Sequence, residues 1–259
     1  MLICIDAGHY LGTPGKRCLK AIDPGETREW VLNNRVANKV QQRLTAYDCT
    51  TMRVDDPTGQ REITLFDRVL IANQAGADVY LSIHHNAGIN GGSGGGIVVY
   101  VCPGVGEDTT SLQRTVCEHT VATTGLRGNR SNPLGVADFY VLKYTTMPAV
   151  LGEFGFMDST VDTPIILTEK YADQLADGIV AALVEQYHLK EVDDVLTYEQ
   201  WVEYYKRYQA EQAKKEPTEK WQSDTVKKAI AAGISDGSRP LDKMTRVEGM
   251  AMVLAGMEK

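Results

Sequence analysis

Short apolar runs alternate with amphipathic stretches through the first 187 residues, and this alternation constrains the fold more than any other feature of the sequence. Six runs are candidate strands, several of them apolar on both faces: residues 2–6, 50–54, 78–84, 96–101, 139–143 and 147–153. The stretches between them have helical periodicity, most clearly residues 29–45 and 168–187. Strands of this kind alternating with helices predict an α/β fold, with a mainly parallel six-stranded sheet and helices on both faces.

The two clearest helices each carry an apolar stripe. Apolar residues recur at every fourth position, at Leu32, Val36, Val40 and Leu44 in the first helix and at Tyr171, Leu175, Ile179 and Leu183 in the second. Thr168 is the expected N-cap of the second helix, because a hydroxyl side chain there can accept a free backbone N–H. Both stripes are expected to face the sheet.

Composition and charge exclude several classes of protein. The chain has 259 residues, 43% of them hydrophobic, which is enough for one sizeable domain and something smaller. Its formal net charge of −7 argues against a general affinity for nucleic acid or for an anionic membrane surface. No apolar stretch approaches the roughly 20 residues that a membrane-spanning helix needs. We therefore expect neither a nucleic acid nor a membrane as a partner.

The expected compartment follows from the N-terminus and the cysteines. The first apolar run begins at residue 2 with no basic segment before it, so we expect no signal peptide. The 5 cysteines are an odd number, widely scattered and without a C-x-x-C pair, which is typical of free thiols in a reducing compartment. The sequence thus predicts synthesis in the cytoplasm.

The composition changes after His188, where the chain becomes charged and rich in aromatic residues. Thr197 with Gln200, and Thr245 with Glu248, have the spacing of helix capping boxes. We expect a first domain over residues 1–188 and a small all-helical C-terminal domain over residues 195–259.

Histidine and glutamate side chains, which commonly bind metals or carry protons, stand where the predicted strands end or the first helix begins. His9 follows the first strand, and the third strand runs into His84-His85-Asn86. Glu26 and Glu29 stand at the start of the first helix, and Glu153 interrupts the last apolar run. Open α/β sheets place their ligands at the carboxyl ends of strands, and a carboxylate inside an apolar run is costly unless it is paired or coordinated.

These residue types suit a metal centre. Two imidazoles and one carboxylate are an ordinary zinc ligand set that leaves a position for water, and a second carboxylate nearby can take a proton from that water. Each residue alone also has a structural interpretation: His9 as a hydrogen-bonded histidine, His84 and His85 as a solvated pair, and Glu153 as an ion-pair partner. No local H-E-x-x-H signature decides between these alternatives.

Four segments, in chain order, resemble one protein family. They are CIDAGHY, REWVLNNRVANKV, YLSIHHNA and MPAVLGEFGF, and the resemblance covers about residues 1–187. The chain resembles the zinc-dependent N-acetylmuramoyl-L-alanine amidases of the autolysin and phage-endolysin type (amidase type 3). The resemblance implies a zinc hydrolase that cleaves the amide bond between N-acetylmuramic acid and L-alanine in bacterial peptidoglycan.

The resemblance also implies the metal ligands. The D-x-G-H motif places the first zinc ligand on His9, and the S-x-H-x-N-A motif places the third on His84. The second family element is a glutamate followed, after three residues, by an asparagine. Glu29 and Asn33 match it, whereas Glu26 has no asparagine at that distance. Glu29 is therefore the implied second ligand, although the long loop before it leaves Glu26 as the alternative.

Two further roles follow from the resemblance. The last motif places the general base on Glu153, and Asn86 is the implied substrate-orienting residue. The chain departs from the family pattern at Tyr10, where the family often has glycine. No role is assigned to Arg127 or Arg130.

The segment from Trp221 onward resembles a single S-layer-homology-like unit, which implies binding to a secondary cell-wall polymer. A dimerising appendage, and hence a homodimer, is the alternative. For the whole chain we expect a phage or prophage endolysin that reaches the wall through holin-type release. The alternatives are a host autolysin or sporulation amidase freed by lysis, and a catalytically inactive wall-binding protein.

Overall fold

The computed structural model describes residues 1–127 and 132–192, which form a sheet and the helices around it. The strands are β1 (Leu2–Ala7), β2 (Thr50–Arg53), β3 (Val79–Asn86), β4 (Ile97–Val101), β5 (Leu134–Val136) and β6 (Ala149–Phe156). The helices are α1 (Glu29–Leu44), α2 (Leu65–Gln74), α3 (Glu107–Thr124), α4 (Tyr140–Lys143), α5 (Asp162–Ile166) and α6 (Glu169–Tyr187).

The sheet has the strand order β2-β1-β3-β6-β4-β5. Its neighbouring strands run parallel except β4 and β6, which pair antiparallel. The prediction of a mainly parallel six-stranded sheet is therefore confirmed. The strand β6, last in sequence, lies between β3 and β4, so the carboxyl ends of β1, β3 and β6 lie side by side.

Helices cover both faces of the sheet, as predicted. Alternate strand residues such as Ile5 and Ile83 are buried in a large core together with α1, α3 and α6. Residues of the opposite face, such as Cys4 and Tyr80, are buried in a second core with α2 and α4. Because successive strand residues point to opposite faces, both cores need apolar residues throughout the central strands.

The two helices predicted with apolar stripes form within one residue of the expected ends. In α1 the stripe from Leu32 to Leu44 is buried, and in α6 Tyr171, Leu175, Ile179 and Leu183 are buried. The Thr168 hydroxyl accepts the Tyr171 backbone N–H at 3.1 Å, so the predicted N-cap is confirmed.

The prediction of a strand over residues 139–143 is wrong. This segment holds the one-turn helix α4, and the remaining strand of the sheet is β5, which pairs parallel with β4. A short apolar run fits a buried helix turn as well as a strand. Val141 and Leu142 are both buried in the second core, while β5 already occupies the edge of the sheet beside β4.

The predicted C-terminal domain over residues 195–259 lies outside the described residues, as does Arg130. Within the described part of the chain, no helix combines the length and the apolar character that crossing a membrane requires.

Candidate metal centre

Three side chains converge where β1 and β3 end and α1 begins. His9, Glu29 and His84 each offer one ligand atom, and these atoms lie within 4.8 Å of one another. The two imidazole rings meet edge to face, with their centroids 5.0 Å apart. The structure thus brings together the three residues for which the sequence analysis expects a ligand role.

The backbone at His9 adopts an unusual conformation that its neighbours hold in place. His9 has φ of 67°, in the left-handed region that residues with a side chain rarely adopt. Arg68 Nη2 donates to the His9 carbonyl at 2.8 Å, and Asn33 Nδ2 donates to the Gly8 carbonyl at 3.0 Å. A Cβ at Gly8 would lie 2.0 Å from the His84 ring, so only glycine allows the two histidines to approach each other.

A buried ion pair lies directly beneath this turn. Arg68 pairs with Asp6 and donates to the Ala7 carbonyl at 2.9 Å. Asp6 also accepts hydrogen bonds from the Tyr80 hydroxyl at 2.9 Å and the Ser82 hydroxyl at 2.7 Å. Burial opposes ionisation of Asp6, but the Arg68 guanidinium, the nearby His84 and the Ser82 hydroxyl lower its pKa overall. Arg68 cannot be recognised as part of this site from the sequence, since only its partner Asp6 belongs to a motif.

The carboxylate of Glu29 is almost fully buried. Its Oε1 lies 3.0 Å from His84 Nδ1 and accepts the His85 backbone N–H at 3.2 Å. Its Oε2 lies 3.3 Å from His9 Nε2 but accepts no well-aligned hydrogen bond. Burial favours the protonated form, yet the imidazoles of His84 and His9 hold the pKa of Glu29 well below its usual range. Burial also disfavours a charged His84, but the Glu29 carboxylate outweighs this and raises the His84 pKa.

This donor set fits a zinc ion. Two imidazole nitrogens and one carboxylate are ligands that zinc accepts, with a position left for water or substrate. A buried carboxylate oxygen without a hydrogen-bond donor, as at Glu29 Oε2, is costly unless a cation satisfies it. The geometry therefore suits a divalent cation at the point where the three side chains meet.

The alternative ligand Glu26 lies apart from this centre. Its carboxylate is 3.3 Å from Arg17 Nε and 3.6 Å from Lys20 Nζ, and its side chain is 28% exposed. The structure brings Glu29, not Glu26, to the two histidines.

His9 and His84 line a cleft of about 360 Å³ together with Glu153. Glu29 contacts both histidines but is buried and is not among the described residues that line the cleft. In the pairing of β3 with β6, Glu153 is opposite His84, so the two side chains leave the sheet on the same face. Other parts of the lining are the loop residues Tyr10, Thr13 and Lys16, the apolar residues Ile63, Leu65, Phe139 and Tyr140, and Glu62. The cleft therefore places a carboxylate beside the candidate metal centre, between polar and apolar surfaces.

The two residues after His84 have other surroundings. His85 is buried, its Nδ1 lies 2.8 Å from Asn33 Oδ1, and burial lowers its pKa to about 4. The Asn86 side chain accepts the Ala87 backbone N–H at 2.8 Å and is not among the described residues that line the cleft. The substrate-orienting role of Asn86 stays a prediction that the cleft geometry does not support.

Two aspartates, neither of which belongs to a motif in the sequence, hold the glycine-rich loop over residues 90–96. Asp158 Oδ2 accepts the backbone N–H groups of residues 88–90 at 2.7–2.8 Å. Asp162 Oδ2 accepts the Gly96 N–H at 2.7 Å. The composition of the loop is typical of a flexible segment, whereas its backbone is fixed at both ends.

Comparison with known proteins identifies the family of the chain and several relatives. The family model described as N-acetylmuramoyl-L-alanine amidase matches residues 3–185. The chain is 33% identical over 175 residues to a sporulation-specific N-acetylmuramoyl-L-alanine amidase of Bacillus subtilis, covering 65% of each protein. It is 29% identical over 190 residues to an endolysin of Bacillus phage SPP1, covering 73% of this chain and 67% of the endolysin. The chain spans between about half and two thirds of the length of the first curated relatives that it matches.

Solved structures show the same fold. The crystal structure of an N-acetylmuramoyl-L-alanine amidase from Clostridium difficile 630 superposes with a TM-score of 0.65 at 30% identity, covering 72% of this chain and 96% of that one. The catalytic domain of CwlV from Bacillus (Paenibacillus) polymyxa gives a TM-score of 0.64 at 23% identity, covering 73% and 99%. The second likeness is one of fold alone.

Proposed function

Because the chain belongs to the family of N-acetylmuramoyl-L-alanine amidases, we propose that it hydrolyses the amide bond between N-acetylmuramic acid and L-alanine in bacterial peptidoglycan. His9, Glu29 and His84 hold a zinc ion for this reaction. The observation that carries the proposal is the convergence of these three side chains within 4.8 Å, at a cleft that His9, His84 and Glu153 line.

Glu153 acts as the general base. A zinc ion at the centre would serve as a Lewis acid that polarises the scissile carbonyl and lowers the pKa of water to about 7. Glu153 accepts the proton from the attacking water and then returns it to the L-alanine nitrogen as the C–N bond breaks. The position of Glu153 opposite His84 in the sheet supports this role.

The other residues around the centre hold the His9 turn in place and line the cleft. Arg68 and Asn33 fix the turn that carries His9. Leu65 and Phe139, both exposed, give the cleft an apolar surface against which a substrate can pack.

The biological setting is a lytic enzyme, for which two related proteins suggest different origins. The endolysin of phage SPP1 supports a phage or prophage endolysin that reaches the wall after holin-type release. The sporulation-specific amidase supports a host enzyme that acts after lysis of the mother cell.

In either case residues 195–259 serve as a wall-polymer-binding or dimerising module. The complete donor set disfavours a catalytically inactive wall-binding protein.

Digestion of purified bacterial peptidoglycan by the full chain tests the proposed reaction. We expect mass spectrometry to find stem peptides with a free L-alanine amino group, absent when a chelator is added and restored by zinc. Cleavage within the glycan, within the stem peptide, or none at all by the zinc-loaded protein would contradict the proposal. Lysis genes next to the coding sequence would favour the phage origin.

A further inference from the structure

Two cationic side chains line the cleft in the part of the chain that the structure describes, and they differ in what surrounds them. Arg68 is 4% exposed, and its guanidinium is engaged by Asp6 and by the carbonyls of Ala7, His9 and Ile63. The Lys16 side chain is 48% exposed. Of these two cations, Lys16 is therefore the one that can reach a bound molecule.

The backbone at Lys16 is anchored beside the candidate metal centre. Its carbonyl accepts the Glu29 backbone N–H at 3.1 Å, and the neighbouring Arg17 forms an antiparallel bridge with Arg28. The backbone of Lys16 thus has a fixed position next to the start of α1, and its half-exposed side chain lines the cleft.

The ammonium of Lys16 competes with a metal for the same oxygen. Lys16 Nζ lies 3.9 Å from Glu29 Oε2, the buried carboxylate oxygen that has no well-aligned hydrogen bond. A divalent cation at the centre would neutralise the Glu29 carboxylate and repel the ammonium, since the interaction of charges a few ångströms apart is strong in a partly buried site. A metal at the centre would therefore release the half-exposed Lys16 ammonium from Glu29 and make it available to an anion in the cleft.

We propose that Lys16 binds a carboxylate of the stem peptide, and so gives the enzyme a preference for peptides whose second residue keeps a free α-carboxylate. This inference rests on the proposed function. The N-acetylated sugar carries no charge once its lactyl group is in amide linkage, whereas the stem peptide carries free carboxylates. The α-carboxylate of the second residue is the first anionic group beyond the scissile bond. An ammonium and a carboxylate form the stronger, charge-assisted type of hydrogen bond.

Two muramyl peptides that differ in one group test the inference. In one the α-carboxylate of the second stem residue is free, and in the other it is a carboxamide. With the zinc-loaded full chain, we expect kcat/KM to be about tenfold higher for the carboxylate, which corresponds to about 1.4 kcal/mol. Lys16→Met and the more polar Lys16→Gln should bring this ratio close to one.

The matched control is Lys20→Met in the same loop. Lys20 is 75% exposed, lies 3.6 Å from Glu26 Oε2, and is not among the described residues that line the cleft. The Lys20 variant should keep the wild-type ratio. Zinc content per chain, measured by atomic absorption, should be the same in all these proteins.

Three outcomes would overturn the inference. They are a wild-type ratio near one, an equal loss of rate on both peptides in Lys16→Met, and loss of zinc from that variant. The last two would make Lys16 a residue that supports the metal centre instead of the substrate. If the wild type cleaves neither peptide, the proposed function fails, and calorimetric binding of the same two peptides decides the carboxylate preference independently.

Discussion

At the scale of single residues, Arg68 shows how a buried charge can fix the position of a candidate metal ligand, His9. Its Nε donates to the Ile63 carbonyl at 2.8 Å, while its other nitrogens bond Asp6 and the carbonyls of Ala7 and His9. A planar guanidinium can satisfy all these acceptors at once, which the single ammonium of a lysine cannot. A buried ion pair is costly unless such hydrogen bonds accompany it. Here they also hold the left-handed backbone of His9.

The clearest prediction at this scale concerns the general base. Glu153→Gln keeps the shape of the side chain but cannot accept a proton. We expect the variant to bind zinc in the wild-type ratio and to lose about 10²–10⁴-fold in kcat/KM. Release of stem peptides, together with atomic absorption, measures both quantities. Glu26→Gln, in an ion pair outside the cleft, is the control, and a Glu153→Gln enzyme with most of its turnover would exclude the proposed role.

At the scale of elements, a loop of small residues is ordered by side chains that follow it much later in the chain. Asp158 comes two residues after β6, yet it accepts the backbone N–H groups of residues 88–90. A carboxylate that receives several N–H groups acts as the cap of a helix does, by satisfying donors that the backbone leaves free. The segment after β3 is thereby tied to the end of its neighbour β6.

Removal of this carboxylate should loosen the loop. In Asp158→Ala, we expect the free energy of unfolding to fall by about 3 kcal/mol, because several charge-assisted hydrogen bonds are lost. Amide hydrogen exchange at residues 88–90 should become faster. Asp138→Ala, which removes an exposed carboxylate paired with Lys143, should cause neither change. Unchanged protection of residues 88–90 in Asp158→Ala would show that the loop does not depend on Asp158.

At the scale of the whole molecule, the parallel sheet gathers side chains that are distant in sequence. Glu29 and His84 are 55 positions apart and lie in contact. A ligand that binds such a centre binds the folded chain and not the unfolded one, so metal binding and folding are linked.

This linkage predicts that zinc stabilises the fold. At a free zinc concentration one hundred times the dissociation constant, we expect about 2.7 kcal/mol of added stability, seen as a higher melting temperature in calorimetry. His84→Ala should abolish the zinc-dependent shift. His119→Ala, at an exposed ion pair with Glu185, should retain it. An equal shift in the wild type and in His84→Ala would mean that zinc binds elsewhere.

The sequence predicts the general architecture because apolar strands and striped helices depend on local periodicity. It also points to the strand ends, since polar residues such as His9 and Glu153 interrupt or follow apolar runs. The helix α4 could not be predicted because one helical turn is too short to show a periodicity. The roles of Arg68 and Asp158 could not be predicted because their partners are far away in sequence and are brought near only by the fold. Arg68 and Asp6, for example, are 62 positions apart.

The position of β6 in the sheet bears on the order in which a working enzyme is made. The three candidate ligands lie within the first 84 residues, whereas the proposed proton acceptor Glu153 lies on β6, the last strand of the described part of the chain. That strand fills the gap between β3 and β4. During synthesis from the N-terminus, the residues that bind the metal leave the ribosome long before Glu153 does. A chain that stops before residue 149 would have its three ligands but neither a continuous sheet nor a general base. On the proposed mechanism, hydrolysis would therefore begin only when β6 is inserted into the sheet, and incomplete chains would be inert.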